Sequence, residues 1–192
     1  SIPRHLRHTL TDRASWEAYY KPRLRADDPL RLASGPAWEM QLAEWLRPDR
    51  EYPLFIEAGS LYGVARNWFG LEGISQIMYD DRDLFEEVVA TLADVVVTVL
   101  EHTLSAGVRP EAASMWEDMC FSGGPLMSPK IFKEVLVPHY QRITGTLNRY
   151  GVDIIFLDCD GKIDALAPLW LEAGVNTMFP IKVGKWKADP LE

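Results

Sequence analysis

The sequence predicts an α/β protein in which a parallel sheet is covered by helices. Two observations carry this reading. Short, uniformly apolar runs recur at 53–57 (PLFIE), 112–116 (AASMW), 153–157 (DIIFL) and 176–179, and the text between them places apolar residues at helical spacing. Strands that are apolar throughout rather than alternating are strands covered on both faces, and their alternation with helices is the mark of parallel β/α units. Each crossover is then expected to be right-handed.

Taken in order, residues 1–50 read as an irregular N-terminal segment. Trp16, Tyr19 and Tyr20 sit beside charged neighbours, and Pro22, Pro29, Pro36 and Pro48 interrupt the stretch. One short amphipathic helix is expected over 38–46, where Trp38, Leu42 and Trp45 recur at helical spacing and Pro48 stops the run. Residues 51–192 form the second region, a partial β/α barrel of about four strands. The strand at 53–57 leads through a Gly-containing loop, 59–63, into helical text that runs to about Tyr79.

The clearest helix spans 81–105, with Leu84, Val88, Leu92, Val95 and Val99 on one face. Asp80 and Asp81 cap its positive end, and Gly107 and Pro110 close it. After the strand at 112–116, Ser128 followed by Pro129 starts a helix carrying Phe132, Leu136, Tyr140, Ile143 and Leu147; Pro138 should kink it. The strand at 153–157, a helix over 162–173 closed by Gly174, and a strand beginning at Asn176 complete the pattern.

A doubly wound sheet and a closed barrel both satisfy this order. The chain has 192 residues, whereas an eight-stranded β/α barrel takes about 250. The expectation is therefore the middle portion of a barrel, with two unpaired sheet edges that invite a partner, a homodimer included.

Hydrophobic residues make up 47% of the chain and charged residues 25%, with a formal net charge of −8. That balance argues against a nucleic-acid binder, which needs clustered Lys and Arg. Apolar runs such as 95–100 are too short to span a bilayer, so a protein with no membrane partner is expected. Cys120 and Cys159 do not make a disulfide framework, and a reducing, cytoplasmic setting is the default. His5, His8 and His102 offer no ligand spacing with either cysteine, so no zinc site is evident from spacing alone.

In parallel β/α architectures ligands meet the loops that follow the strands. Three segments qualify. Gly59 and Gly63, in E-A-G-S-L-Y-G around Tyr62, would let backbone approach a ligand, or simply form the turn. Glu117 and Asp118 follow the second strand; as neighbours they point to opposite sides, and together they offer a general acid or a polar contact for a small-molecule substrate. In L-D-C-D-G-K, Asp158 and Asp160 should face one way and Cys159 the other, with Asp160 and Gly161 alternatively making the turn. Asp158, Asp160 and Glu117 are the candidate catalytic groups, and Asp118, Gly59, Tyr62 and Lys162 the candidate substrate contacts.

At these same segments the text resembles a known family. W-E-D-M-C-F-S-G-G-P-L-M-S-P-K-I-F-K-E-V-L-V-P-H-Y, from 116 to 140, and G-V-D-I-I-F-L-D-C-D-G-K-I-D-A-L-A-P-L-W-L-E-A-G-V-N, from 151 to 176, are similar to the uroporphyrinogen decarboxylase-like superfamily. The resemblance implies a (β/α)8 TIM-type barrel with its site at the mouth, and a cytoplasmic carboxy-lyase that acts without a cofactor on a tetrapyrrole or related polycarboxylate. The decarboxylase's G-A-P-W-T-L segment is replaced here by G-S-L-Y-G-V at 59–64.

The resemblance also implies an alternative, a zinc-dependent methyltransferase working with a corrinoid protein. There Cys159 would be a metal ligand, although Leu157 stands where those enzymes carry the preceding His. A third reading is a non-catalytic portion of a barrel that folds by pairing its open edges.

Overall fold

The structure, a computed structural model, describes residues 7–181 and 183–184. His5, considered above, lies outside the described residues.

Strands β1 (Phe55–Glu57), β2 (Ala112–Trp116), β5 (Ile155–Asp158) and β6 (Thr177–Phe179) form one sheet in the order β1-β2-β5-β6, with every neighbouring pair parallel. A two-stranded antiparallel ribbon, β3 (Cys120–Phe121) and β4 (Gly124–Pro125), follows β2; the sequence reading left this stretch as loop. Between β1 and β2 run α3 (Tyr62–Asp80) and α4 (Arg82–Ser105). Between β4 and β5 come α5 (Pro129–Ile131), a π-helical turn (Phe132–Leu136) and α6 (Val137–Arg149), and between β5 and β6 a short α7 (Ala167–Glu172). This is part of a β/α barrel wall, as the alternation of runs and helices predicts. The third helix is shorter than its text, since residues 162–166 form turns rather than helix.

Local chemistry explains the boundaries. Asp81 caps α4 by accepting from the Leu84 N–H at 3.0 Å, and Ser128 caps α5 by accepting from the Ile131 N–H at 3.2 Å. Pro138 sits in the first turn of α6, directly after the π-turn. The wider turn absorbs the missing N–H, so the expected kink takes the form of a π-bulge. Gly70, with φ +78°, interrupts α3; a Cβ there would collide with the His8 ring, whose Nδ1 lies 3.2 Å from the Asn67 carbonyl oxygen.

The two faces of the sheet differ. Ile56, Ala113, Met115, Ile155, Leu157 and Met178 pack into the core beneath the helices. Phe132 anchors that core, with its ring centroid 5.7 Å from Tyr140 and 5.5 Å from Trp170. The other face carries Phe55, Glu57, Ser114, Trp116, Phe156, Asp158, Thr177 and Phe179, and it is open: Phe55 and Phe179 are each 59% exposed. Phe55 and Phe156 pack edge to face on it at 5.9 Å. In a closed barrel this face would be the interior.

The N-terminal region is less irregular than its proline content suggests. Asp12 and Ser15 form a reciprocal cap on α1 (Arg13–Ser15), which continues into a π-turn (Trp16–Tyr20) and a 3-10 turn (Lys21–Arg23). Glu87 of α4 fastens this segment: it accepts from Trp16 Nε1 at 3.0 Å and Arg13 Nη1 at 2.9 Å and pairs with Lys21 Nζ at 2.7 Å. Further on, α2 (Gly35–Trp45) corresponds to the helix expected at 38–46. Among the described residues no helix is long and apolar enough to cross a membrane.

Candidate functional site

Side-chain alternation continues past the strand ends and sorts the candidate residues. Trp116, Asp158 and Phe179 are register partners at the C-terminal ends of β2, β5 and β6, so they stand in one row on the open face. Glu117 and Cys159, one residue further, turn to the helix side and are wholly enclosed. Asp160 is exposed beyond the rim, so Asp158 and Asp160 are separated from the Cys159 thiol as the alternation predicts.

Glu117 is the residue that the structure moves. Expected in the mouth, it lies under it, with all four of its contacts inside the protein. Oε1 accepts from the Leu61 N–H at 2.8 Å and the Tyr140 hydroxyl at 2.7 Å, while Oε2 accepts from the Gly63 N–H at 2.7 Å and the Ser60 hydroxyl at 3.2 Å. Leu61 and Gly63 belong to the first turn of α3, whose positive end favours a carboxylate. Burial nonetheless holds the carboxyl above its ordinary range, against those four hydrogen bonds. The side chain locks α3 and α6 to the end of β2 and is out of reach of a ligand in the mouth. The physical reason is strand parity: Trp116 takes the open face, so Glu117 cannot.

Gly59 and Tyr62 likewise lie beneath the rim. A Cβ on Gly59, whose φ is +77°, would stand 2.5 Å from the Val96 side chain, so its closeness is to α4 and the expected approach to a ligand is not made. Tyr62 is fully buried, and its hydroxyl has no hydrogen-bond partner among the described residues; burial pushes its pKa up, opposed by the nearby charge of Arg66. It too is enclosed rather than presented to substrate. Lys162 is half-exposed, with its Nζ 4.0 Å from Asp164 and its backbone N–H donated to the Phe121 carbonyl at 2.9 Å.

Asp118 does reach the rim, in an unusual conformation. Its φ of +43° is the one positive value at a non-glycine residue among those described, and Asp tolerates that region better than most residues. The turn aims both its carbonyl and its carboxylate at Arg66, whose Nη1 donates to the carbonyl and lies 3.3 Å from Oδ2. The Arg66 guanidinium also lies over the Trp116 ring, 5.6 Å from its centroid. Arg66 and Trp116 were not singled out from the sequence. The signal was available: Arg66 is one turn beyond Tyr62, and Trp116 has the strand parity of the mouth.

Cys159 sits where two strand-end loops are stitched together. The Glu117 N–H donates to the Asp158 carbonyl at 3.0 Å, and the Met119 N–H meets Cys159 Sγ at 3.3 Å. Gly161 packs against the Cys120 carbonyl too closely for any side chain. A zinc site at Cys159 is not built by these residues. Its sulfur is engaged on the helix side, and among the described residues no three His, Cys, Asp or Glu side chains converge.

The comparisons agree with this architecture. A family model described as Uroporphyrinogen decarboxylase (URO-D) matches residues 38–180. Among solved structures, a methyltransferase from Methanosarcina mazei is similar in fold, with a TM-score of 0.54 and 15% identity over 69% of this chain. The chain spans 36% of that structure's length. No curated protein matches the chain.

Proposed function

The chain belongs to the uroporphyrinogen decarboxylase family, and from that premise we propose that it forms one flank of the active site of a cofactor-independent, cytoplasmic carboxy-lyase acting on a tetrapyrrole or related polycarboxylate. The observation that carries the reading is the row Trp116–Asp158–Phe179 across the open face, where two aromatic side chains flank one half-buried carboxylate. Flat apolar walls suit a conjugated ring system. A carboxylate between them accepts ring N–H groups and stabilises the positive charge that a protonated pyrrole acquires as its side chain loses carbon dioxide. Asp160, exposed just beyond, is a candidate proton carrier at the rim.

The methyl-transfer reading, with zinc and a corrinoid protein, draws support from the similar methyltransferase fold. It needs a metal-bound thiolate facing the substrate, and Cys159 is enclosed on the opposite face. The lyase reading is therefore the better supported by the side chains present.

The test is Asp158→Asn in the full-length protein, assayed with uroporphyrinogen for carbon dioxide release. A loss of turnover of about a hundredfold or more is expected for a group that stabilises developing charge. Unchanged turnover removes Asp158 from the mechanism. Stoichiometric zinc by elemental analysis without tetrapyrrole binding replaces the lyase with the methyl-transfer reading.

A further inference from the structure

The rim of the open face holds a basic group that the proposed chemistry has not used. Arg66 projects from the second turn of α3, and its side chain is only 17% exposed. Two contacts hold it. Nη1 alone serves Asp118, through both the carbonyl and Oδ2, and the guanidinium lies over the Trp116 ring. Among the described residues no hydrogen-bond partner faces Nε or Nη2. The fork is thus fixed in orientation while one of its edges remains unused, in the row that runs from Trp116 to Asp158.

The electrostatic setting makes this arrangement purposeful. The chain carries a formal net charge of −8, and Asp118, Asp158 and Asp160 crowd this rim. A polyanionic ligand entering there would be repelled unless a cation met it. Arg66 is that cation, partly desolvated by Trp116, and a guanidinium edge matches a carboxylate through two parallel hydrogen bonds. The positive φ of Asp118 is a second sign of a built arrangement, because that conformation turns the residue's oxygens toward Arg66.

We infer that Arg66, steadied by Asp118 and Trp116, is a substrate carboxylate-binding residue, and that the ligand of this site carries a carboxylate next to the part that reaches Asp158. The inference deepens the lyase reading and rests on it for the identity of the ring, but the carboxylate contact can be tested separately. Arg66 acts in binding and selectivity; no bond is made or broken on it.

The experiment measures binding to the full-length protein of two probes: uroporphyrin, followed by fluorescence, and pyromellitate, a small aromatic polycarboxylate without a tetrapyrrole, followed by calorimetry. Arg66→Gln is expected to weaken binding by about tenfold to a hundredfold, the loss of charge-assisted hydrogen bonds, and to flatten its salt dependence. Arg66→Lys, which keeps the charge without the fork, should recover part of the loss. Asp118→Asn should weaken binding several-fold by releasing the guanidinium.

Wild-type affinity in Arg66→Gln or Arg66→Lys overturns the inference, as does failure of the wild-type protein to bind either probe. If Arg66→Gln does not fold, as judged by thermal melting, Arg66→Lys decides. Sensitivity to Arg66→Gln for pyromellitate without any binding of uroporphyrin keeps the carboxylate contact and sinks the tetrapyrrole reading. Sensitivity to Asp158→Asn with indifference to Arg66→Gln does the reverse.

Discussion

The backbone N–H of Gly63 donates to Oε2 of Glu117 across 2.7 Å, which ties the first turn of α3 to the end of β2. The glycine has no room for a side chain: a Cβ would stand 2.7 Å from the Glu117 carbonyl oxygen and 2.8 Å from Cζ3 of Trp116. Gly63→Ala must therefore displace the floor of the mouth. It is expected to destabilise the protein by about 1–3 kcal/mol, as overpacking does. Gly145→Ala in α6, where a Cβ meets nothing within 4 Å, should stabilise by about 0.4–1 kcal/mol. Urea unfolding of both variants checks the contrast, and equal effects would contradict it.

Glu117 itself is expected to matter for stability. Glu117→Gln places an amide N–H against donors that the carboxylate now accepts, at a cost of about 1–3 kcal/mol. The wild-type carboxyl is held above its ordinary 4.5 by burial, so the folded state binds its proton more tightly than the unfolded state. Its contribution is complete below 4.5 and declines as pH rises through the raised value. The stability gap between wild type and Glu117→Gln should consequently narrow from acid to neutral pH in a series of urea titrations.

Glu87 should behave in the opposite sense. Hydrogen bonds from Lys21 and Trp16, with a further one from Arg13, hold it down to about 2 from 4.5. The stability it lends to docking of the N-terminal segment is present above 4.5 and is lost as pH falls toward about 2. Its side chain is 29% exposed, so solvent screening reduces the effect to about 1–2 kcal/mol. Glu87→Gln should lower stability at neutral pH and match wild type in strong acid. Trp16 fluorescence would follow release of the segment.

Both thiols are expected to be unreactive in the folded protein. The Cys120 thiol is pushed well above its ordinary value, first by its hydrogen bond with Cys159 and then by burial, and both residues are buried. Thiolate is the reacting species. Maleimide labelling read by mass spectrometry should therefore be slow under native conditions and complete in urea. Rapid native labelling of Cys159 would instead mean that the sulfur reaches the mouth, as the methyl-transfer reading requires.

The sequence alone determined the parallel β/α order, because uniformly apolar runs and helical periodicity are local properties. Strand β2 coincides with its expected 112–116, and α4 starts one residue after its expected first position at Asp81. Caps were legible for the same reason, as Asp81 and Ser128 act on neighbours three residues away. Which face each rim residue takes was only half legible. Alternation separated Asp158 and Asp160 from Cys159, yet for Glu117 and Asp118 it said only that they differ.

What only the tertiary structure decided is the use of that parity. The helices cover one face, and this sends Glu117 into a cage made by Leu61, Gly63, Ser60 and Tyr140 and leaves Trp116 in the mouth. Arg66 joins Asp118 across 52 positions of sequence, and Glu87 gathers Arg13, Trp16 and Lys21 from a segment that reads as irregular. Such pairings are set by how α3 and α4 pack onto the sheet. Periodicity tells a chain which side of an element is apolar, but the partner that the polar side meets is fixed only when the elements come together.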